Sequence, residues 1–248
     1  MSLRPRTIRS RADVLDAVGH HPYGRFVAGM AQDLHGLASV GAEGSAVVWR
    51  CVGPFGPYGH GFGDAAALDP LFAHASQTGL LDGVRWVNLP RRGQLPSGWQ
   101  RREEWDYRWL TRPLPASPPV VRLADADALQ ALLDVSYPGG ELGPDSPIVN
   151  DWYGLFADQA LVACAADRSV ASTERDAAPT GAIGGVAVHP SYRGRGVGGA
   201  VTVGVAAVLA QRYEQVGLGV VATNETAARL YERVGFSGRH PITSISPA

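Results

Sequence analysis

HPSYRGRGVGGAVTVGVAAVLA, His189 to Ala210, joins an apolar run (Ile183 to Val188) to a Val/Ala-rich stretch in which Val197, Val201, Val205, Val208 and Leu209 recur at helical spacing. Glycine inside regular elements costs roughly 0.5–1 kcal/mol relative to alanine. Glycines and two arginines gathered at one strand-to-helix corner therefore need a compensating role. The free N–H groups of a first helical turn, with the helix dipole behind them, make such a corner an anion-binding device. Directed charge-assisted hydrogen bonds, about 1.5–3 kcal/mol each, outweigh the dipole's roughly 0.3–1 kcal/mol. Arg193 and Arg195 supply full charge beside Gly194, Gly196, Gly198 and Gly199.

The chain has no lysine, which excludes a Walker A loop and leaves arginine or backbone for any phosphate contact. The dinucleotide pattern GxGxxG fits Gly194, Gly196 and Gly199, but His189 to Arg193 separate it from the strand. The chain beyond Gly199 is also too short for the rest of a doubly wound sheet.

A pattern that takes in the downstream residues fits better. VAVHPSYRGRGVGG resembles motif A of the GNAT superfamily (GCN5-related N-acetyltransferases), with its R/Q-x-x-G-x-G/A pattern on Arg193, Gly196 and Gly198. NETAARLYERVGF resembles that family's motif B, through Asn224, Ala227, Leu230, Tyr231, Gly235 and Phe236. The resemblance covers about Val120 to the C-terminus. It implies an α/β fold with a mixed β-sheet flanked by helices, and acetyl-CoA as cosubstrate without a metal. It further implies that backbone groups of Val186, Ala187 and Val188 pair with the pantetheine arm. The turn Arg193-Gly194-Arg195-Gly196-Val197-Gly198, with Gly199, would hold the pyrophosphate, and Asn224 would lie near the thioester. Tyr231 would protonate the departing thiolate, which suits a phenol of pKa about 10 facing a thiol of about 8.5. Purely structural roles stay open: Asn224 as an N-cap, Gly235 as a helix stop, Tyr231 as core.

The strand before motif A, Thr180 to Val188, carries no carboxylate, although many family members place a glutamate there. Glu141, Asp145 or water is left as the base. His189, before Pro190, suits a structural role. The expected function is acetyl transfer to a primary amine, on a small molecule or peptide, by direct attack. A catalytically silent CoA-binding regulatory module is the alternative.

Composition bounds the rest. The 248 residues are 45% hydrophobic and 18% charged, with a net charge of −1, which gives no electrostatic footprint for nucleic acid or an anionic membrane. Cys51 and Cys164 have neither CxxC nor metal-ligand spacing, and no secretory or membrane-spanning segment stands out, so a cytoplasmic location is expected. RPLPASPP, Arg112 to Pro119, reads as a linker between a smaller N-terminal α/β domain (1–115) and the GNAT-like domain (119–248). Strands are expected at Trp152–Phe156 and Ala160–Ala166, as a hairpin across Asp158-Gln159, then at Thr180–Val188 and Leu218–Ala222. Helices are expected over Gly196–Tyr213 and Glu225–Val234, and Pro241 is expected to break the last strand. In the N-terminal part Ala46–Val52, Val84–Leu89 and Glu104–Leu110 read as strands, Gly53–Asp64 as a Gly-rich loop and Ala65–Ser76 as a helix. That order suggests a degenerate GNAT-like repeat.

Overall fold

The structure, a computed structural model, describes residues 5–19, 21–41, 44–53, 55–170 and 180–248. His20 and Pro54 lie outside the described residues. The N-terminal half runs β1 (Arg6–Ile8), α1 (Arg11–Val18), α2 (Pro22–Met30), β2 (Gln32–Gly41), β3 (Gly44–Gly53), β4 (Gly56–Gly63), α3 (Ala65–Gln77), β5 (Val87–Pro90) and β6 (Trp99–Trp109). The C-terminal half runs β7 (Val121–Arg122), α4 (Ala126–Ser136), β8 (Asp151–Ala157), β9 (Ala160–Asp167), β10 (Thr180–Val188), α5 (Val197–Ala210), β11 (Gln215–Val221), α6 (Glu225–Arg233) and β12 (Gly238–Pro247).

All twelve strands form one sheet in the order β1-β2-β3-β4-β5-β12-β6-β11-β10-β9-β8-β7. Each half repeats the same pattern: antiparallel pairing up to its fourth strand, then a parallel pair, β4 with β5 and β10 with β11. The last strand of each half crosses to the other. β12 pairs antiparallel with β5, β6 with β11, and the two crossing strands pair with each other along Gly238↔Trp109 to Pro247↔Trp99. The two halves thus share a strand order and a parallel pair in the same place.

Local chemistry accounts for the elements. Ser10 and Asp13 close a capping box on α1, and Asp125 accepts from Ala128 N–H at the start of α4. The β8–β9 hairpin turns at Asp158 (φ 48°) and Gln159 (φ 67°), the left-handed pair that a tight two-residue turn requires. Leu129, Leu132 and Leu133 of α4 pack on Trp152, Cys164, Ala166 and Ala187. On the opposite face α5 and α6 bury Val201, Val205, Leu209 and Tyr231 against Ile183, Leu218 and Phe236.

Two expectations are corrected. Gly53–Asp64 is mostly strand β4, because its glycines alternate with large residues: Gly59 and Gly61 lie close to Val87, Leu89 and Leu68, while Tyr58, His60 and Phe62 join the aromatic core on the other face. Strand β12 continues through Pro241, whose carbonyl accepts from Arg91 N–H at 2.9 Å. The segment after β6 has no regular element from residue 113 to 120. It crosses α5 at Gly204, where a Cβ would come within 2.4 Å of Val120, and Ser117 Oγ donates to Ala200 O.

Candidate active site

Strands β10 and β11 pair only over Thr180↔Gln215 to Ile183↔Leu218. Beyond that point β10 stays with β9 and β11 stays with β6, so the sheet opens between them. A bulge between Gly184 and Ala187, with Gly185 at φ 57°, bends β10 at the start of the opening. A Cβ on Gly185 would strike Trp152 of β8 at 2.5 Å and would lie 3.3 Å from Leu142 of the loop before it, so both cover the bulge. The backbone of Val186, Ala187 and Val188 therefore lies on a strand margin that β11 has left. Free sheet edges are ready templates for an extended polar chain.

At the far end of that margin, a single 3-10 turn (Pro190–Tyr192) leads into the glycine corner. Gly194 (φ 75°) and Gly196 (φ 80°) are left-handed, a conformation glycine adopts without strain. Gly196 is the N-cap of α5 and offers no side-chain acceptor, so no side chain caps the first-turn N–H groups of Val197, Gly198 and Gly199. No atom lies within 4 Å of a Cβ built on Gly194 or Gly196, so that side of the turn is open. Gly198 is constrained differently: its Cβ would sit 3.3 Å from Leu230 and 3.4 Å from Val188. Motif A and motif B meet at that residue.

The two arginines differ. Arg193 donates through Nε to Val188 O (3.2 Å) and through Nη2 to Ser136 O (2.8 Å), which ties the turn to the end of β10 and to α4. Arg195 stacks on Tyr192, with its guanidinium carbon 5.3 Å from the ring centroid, and is exposed. On this turn Arg193 is thus committed to backbone carbonyls, while the Arg195 guanidinium is exposed and has no carbonyl or carboxylate partner among the described residues.

Asn224 caps α6 by accepting from Ala227 N–H at 3.1 Å. Tyr231 is buried against Phe236, and its hydroxyl has no hydrogen-bond partner among the described residues. Burial pushes the phenol up to about 12, so it holds its proton throughout the neutral range. The hydroxyl oxygen is not among the fully buried unpartnered atoms, so a ligand or water can reach it and complete it. Glu141 and Asp145 are exposed residues of the loop that covers Gly185. His189 accepts from Ser191 N–H at 3.3 Å, which is a structural role. Both cysteines are buried and free, and burial pushes each thiol up to about 12, far from the thiolate a nucleophile needs.

The N-terminal half lacks these parts. Only Asp64 separates β4 from α3, and its carboxylate accepts from Ser45 N–H at 3.0 Å. A negative charge stands where the other half has its glycine turn, and no helix lies between β5 and β6. Among the described residues no cluster of three His, Cys, Asp or Glu could hold a metal, and no helix is long and apolar enough to cross a membrane.

Residues 161–242 match the family described as FR47-like protein. A putative GNAT-family acetyltransferase from Novosphingobium aromaticivorans is similar at 26% identity and TM-score 0.52, over 81% of this chain and 88% of its own. A GNAT-family acetyltransferase from Colwellia psychrerythraea shares the fold at TM-score 0.61 and 14% identity, over 99% of this chain and 100% of its own. A GCN5-related N-acetyltransferase from Kribbella flavida does so at TM-score 0.50 and 14% identity, over 96% and 95%. No curated protein matches the chain. The C-terminal half thus resembles the GNAT superfamily, and it is joined to an N-terminal half of the same strand topology. Acyl transfer is the class of chemistry that this likeness supports.

Proposed function

We propose that this protein transfers an acetyl group from acetyl-CoA to a primary amine by direct attack. The observation that carries this reading is the opening between β10 and β11, which begins after Ile183↔Leu218 and leads along Val186–Val188 to the uncapped start of α5. An extended arm ending in a pyrophosphate matches both features: hydrogen-bonding backbone along the arm, N–H groups and Arg195 at the phosphates. Asn224 and Tyr231, on the motif B helix, would face the reacting end. The amine lone pair forms the new carbon–nitrogen bond, the carbon–sulfur bond breaks, and the sulfur takes its proton from the Tyr231 hydroxyl. The surplus proton on nitrogen leaves to water, or to Glu141 or Asp145, and the Tyr231 phenolate regains a proton from solvent. Neither inert cysteine is needed for a covalent intermediate.

The acceptor in this proposal is a small-molecule or peptide amine rather than a nucleic acid, and two free buried thiols suit a reducing, cytoplasmic setting. The absence of a carboxylate from β10 is the observation favouring a CoA-binding module without turnover. An amine panel with acetyl-CoA, monitored by release of free thiol, separates the two. Amine-dependent thiol release is expected. Acetyl-CoA binding without release for any amine would favour the silent module.

A further inference from the structure

Arg168, just after β9, is not used by the chemistry above. Its backbone N–H donates to Ala182 O at 2.8 Å, and its side chain lies across Gly184. A Cβ on Gly184 would be 2.4 Å from Arg168 Cδ and 3.3 Å from Nη1, so the guanidinium fills the space above this strand position. Gly184 is the first residue past the last β10–β11 pair. Arg168 therefore stands at the closed end of the opening, opposite the end that holds the glycine turn. An arm laid along Val188 to Val186 would deliver its acyl group toward this point.

The guanidinium is poorly satisfied. Nε is buried and has no hydrogen-bond partner, and no carboxylate forms an ion pair with it among the described residues. Glu141 reaches it only as a longer-range charge, while burial disfavours its charged form. The two Nη atoms are not among the fully buried unpartnered atoms, so the end of the fork is open to a ligand or to water. Buried Nε atoms also lack partners on Arg50, Arg91 and Arg108; the last two face the Asp106 carboxylate, and Arg50 lies on β3, in the half of the sheet without the opening. Among the described residues Arg168 has no such counter-ion at ion-pair distance. Its planar fork suits an oxyanion.

We propose that Arg168 binds an oxyanion carried by the acceptor, so that the acceptor is a small amine bearing a carboxylate or phosphate a few atoms from its nitrogen. This inference rests on the acetyltransferase reading and names its substrate class. Holding the anion at Gly184 would fix the amine beside the acyl carbon. Arg168 is then a specificity-determining residue.

The test pairs free amino acids with their amides, and O-phosphoethanolamine with ethanolamine, in acetyl transfer by the full chain. The acids, or the phosphate ester, should exceed their neutral partners by about 100-fold or more in kcat/KM, because a site built for a charge rejects the analogue lacking it. Arg168→Gln should abolish that preference through KM for the anionic acceptor, leaving KM for acetyl-CoA unchanged, and Arg168→Lys should restore part of it. Equal use of acids and amides by the wild type, or an unchanged ratio in Arg168→Gln, overturns the proposal while leaving acetyl transfer standing. If no amine is acetylated, the acetyltransferase reading itself has failed. Calorimetric titration of the CoA-saturated protein with N-acetylglycine and N-acetylglycinamide then decides on Arg168 alone. Binding of the acid only, lost in Arg168→Gln, upholds the anion site, and equal behaviour of the two compounds overturns it. The wild-type comparison needs no variant, so a misfolded substitution does not blunt it.

Discussion

Tyr231→Phe is expected to slow single-turnover acetyl transfer by about 10²–10⁴-fold, the usual contribution of a positioned proton donor. Melting temperature and acetyl-CoA affinity should barely change. The substitution removes one hydroxyl that has no partner among the described residues, and it keeps the ring that packs on Phe236. Stability therefore loses no hydrogen bond. The phenol, raised by burial to about 12, remains a proton donor at every pH at which the protein would work. Complete transfer to a thiolate whose acid has a pKa of about 8.5 is uphill from such a phenol, so the hydroxyl acts by stabilising the charge that develops on sulfur, and a proton from solvent restores the phenol. Saturating acetyl-CoA and a single turnover are needed because slow product release would hide a chemical defect in the steady state. A modest loss would mean that the sulfur takes its proton from water. An unchanged single-turnover rate would leave Tyr231 a core residue.

The second large effect is on stability in mild acid. His60 is fully buried and His240 largely so, and burial pushes their pKa values down to about 3 and about 4. His60 shares a hydrogen bond with Tyr23 (Nδ1 to the hydroxyl oxygen, 3.1 Å), and His240 stacks on Tyr23 at 4.7 Å between ring centroids. His21, 4.9 Å from His240, is lowered by burial as well. Histidine in an unfolded chain titrates near 6.5. Both folded values are depressed, so the unfolded state binds more protons once the pH falls below 6.5. Stability is then lost as pH falls, until the folded values are reached. Each of the two histidines should contribute a slope of roughly 1 kcal/mol per pH unit below about 6. Urea unfolding from pH 7.5 to 5, above most carboxylate titrations, should show midpoints falling steeply with acid. His240→Phe should remove close to half the slope. A flat profile would mean that these rings are solvated in the native state.

The C-terminal half was legible because its signals are local. The spacing of motif A, the period of α5, the Asp158-Gln159 turn and the bounds of β10 all depend on residues within one element or its neighbour. The left-handed turn could be read from Gly194 and Gly196 because glycine adopts positive φ without strain. The crossing of β6 and β12 could not. Their pairing joins residues more than a hundred positions apart, and nothing in a strand's own sequence names its partner. Strand β4 was hidden by composition: its glycines read as a loop, although large residues alternated with them at period two. Arg168 was missed because an arginine after a strand has no signature. A signal existed at Gly184-Gly185, since paired glycines inside a strand mark a bulge or a close approach, and both occur there. Asn224 and Arg193 show the reverse. Motif resemblance singled them out for the cosubstrate, and the geometry adds a helix cap for one and a loop tie for the other.

Calorimetric titration of acetyl-CoA into the wild type and Gly196→Val tests the central claim, that the opening and its glycine turn form the cosubstrate site. The wild type should bind one acetyl-CoA per chain and gain about 2.7 kcal/mol of stability at a hundredfold excess over Kd. Gly196→Val puts a β-branched residue at φ 80°, which disturbs the turn that presents the first N–H groups of α5, and should lower affinity by about 10-fold or more while the protein stays folded. Absence of wild-type binding at millimolar acetyl-CoA, or unchanged affinity in a folded Gly196→Val protein, would contradict it.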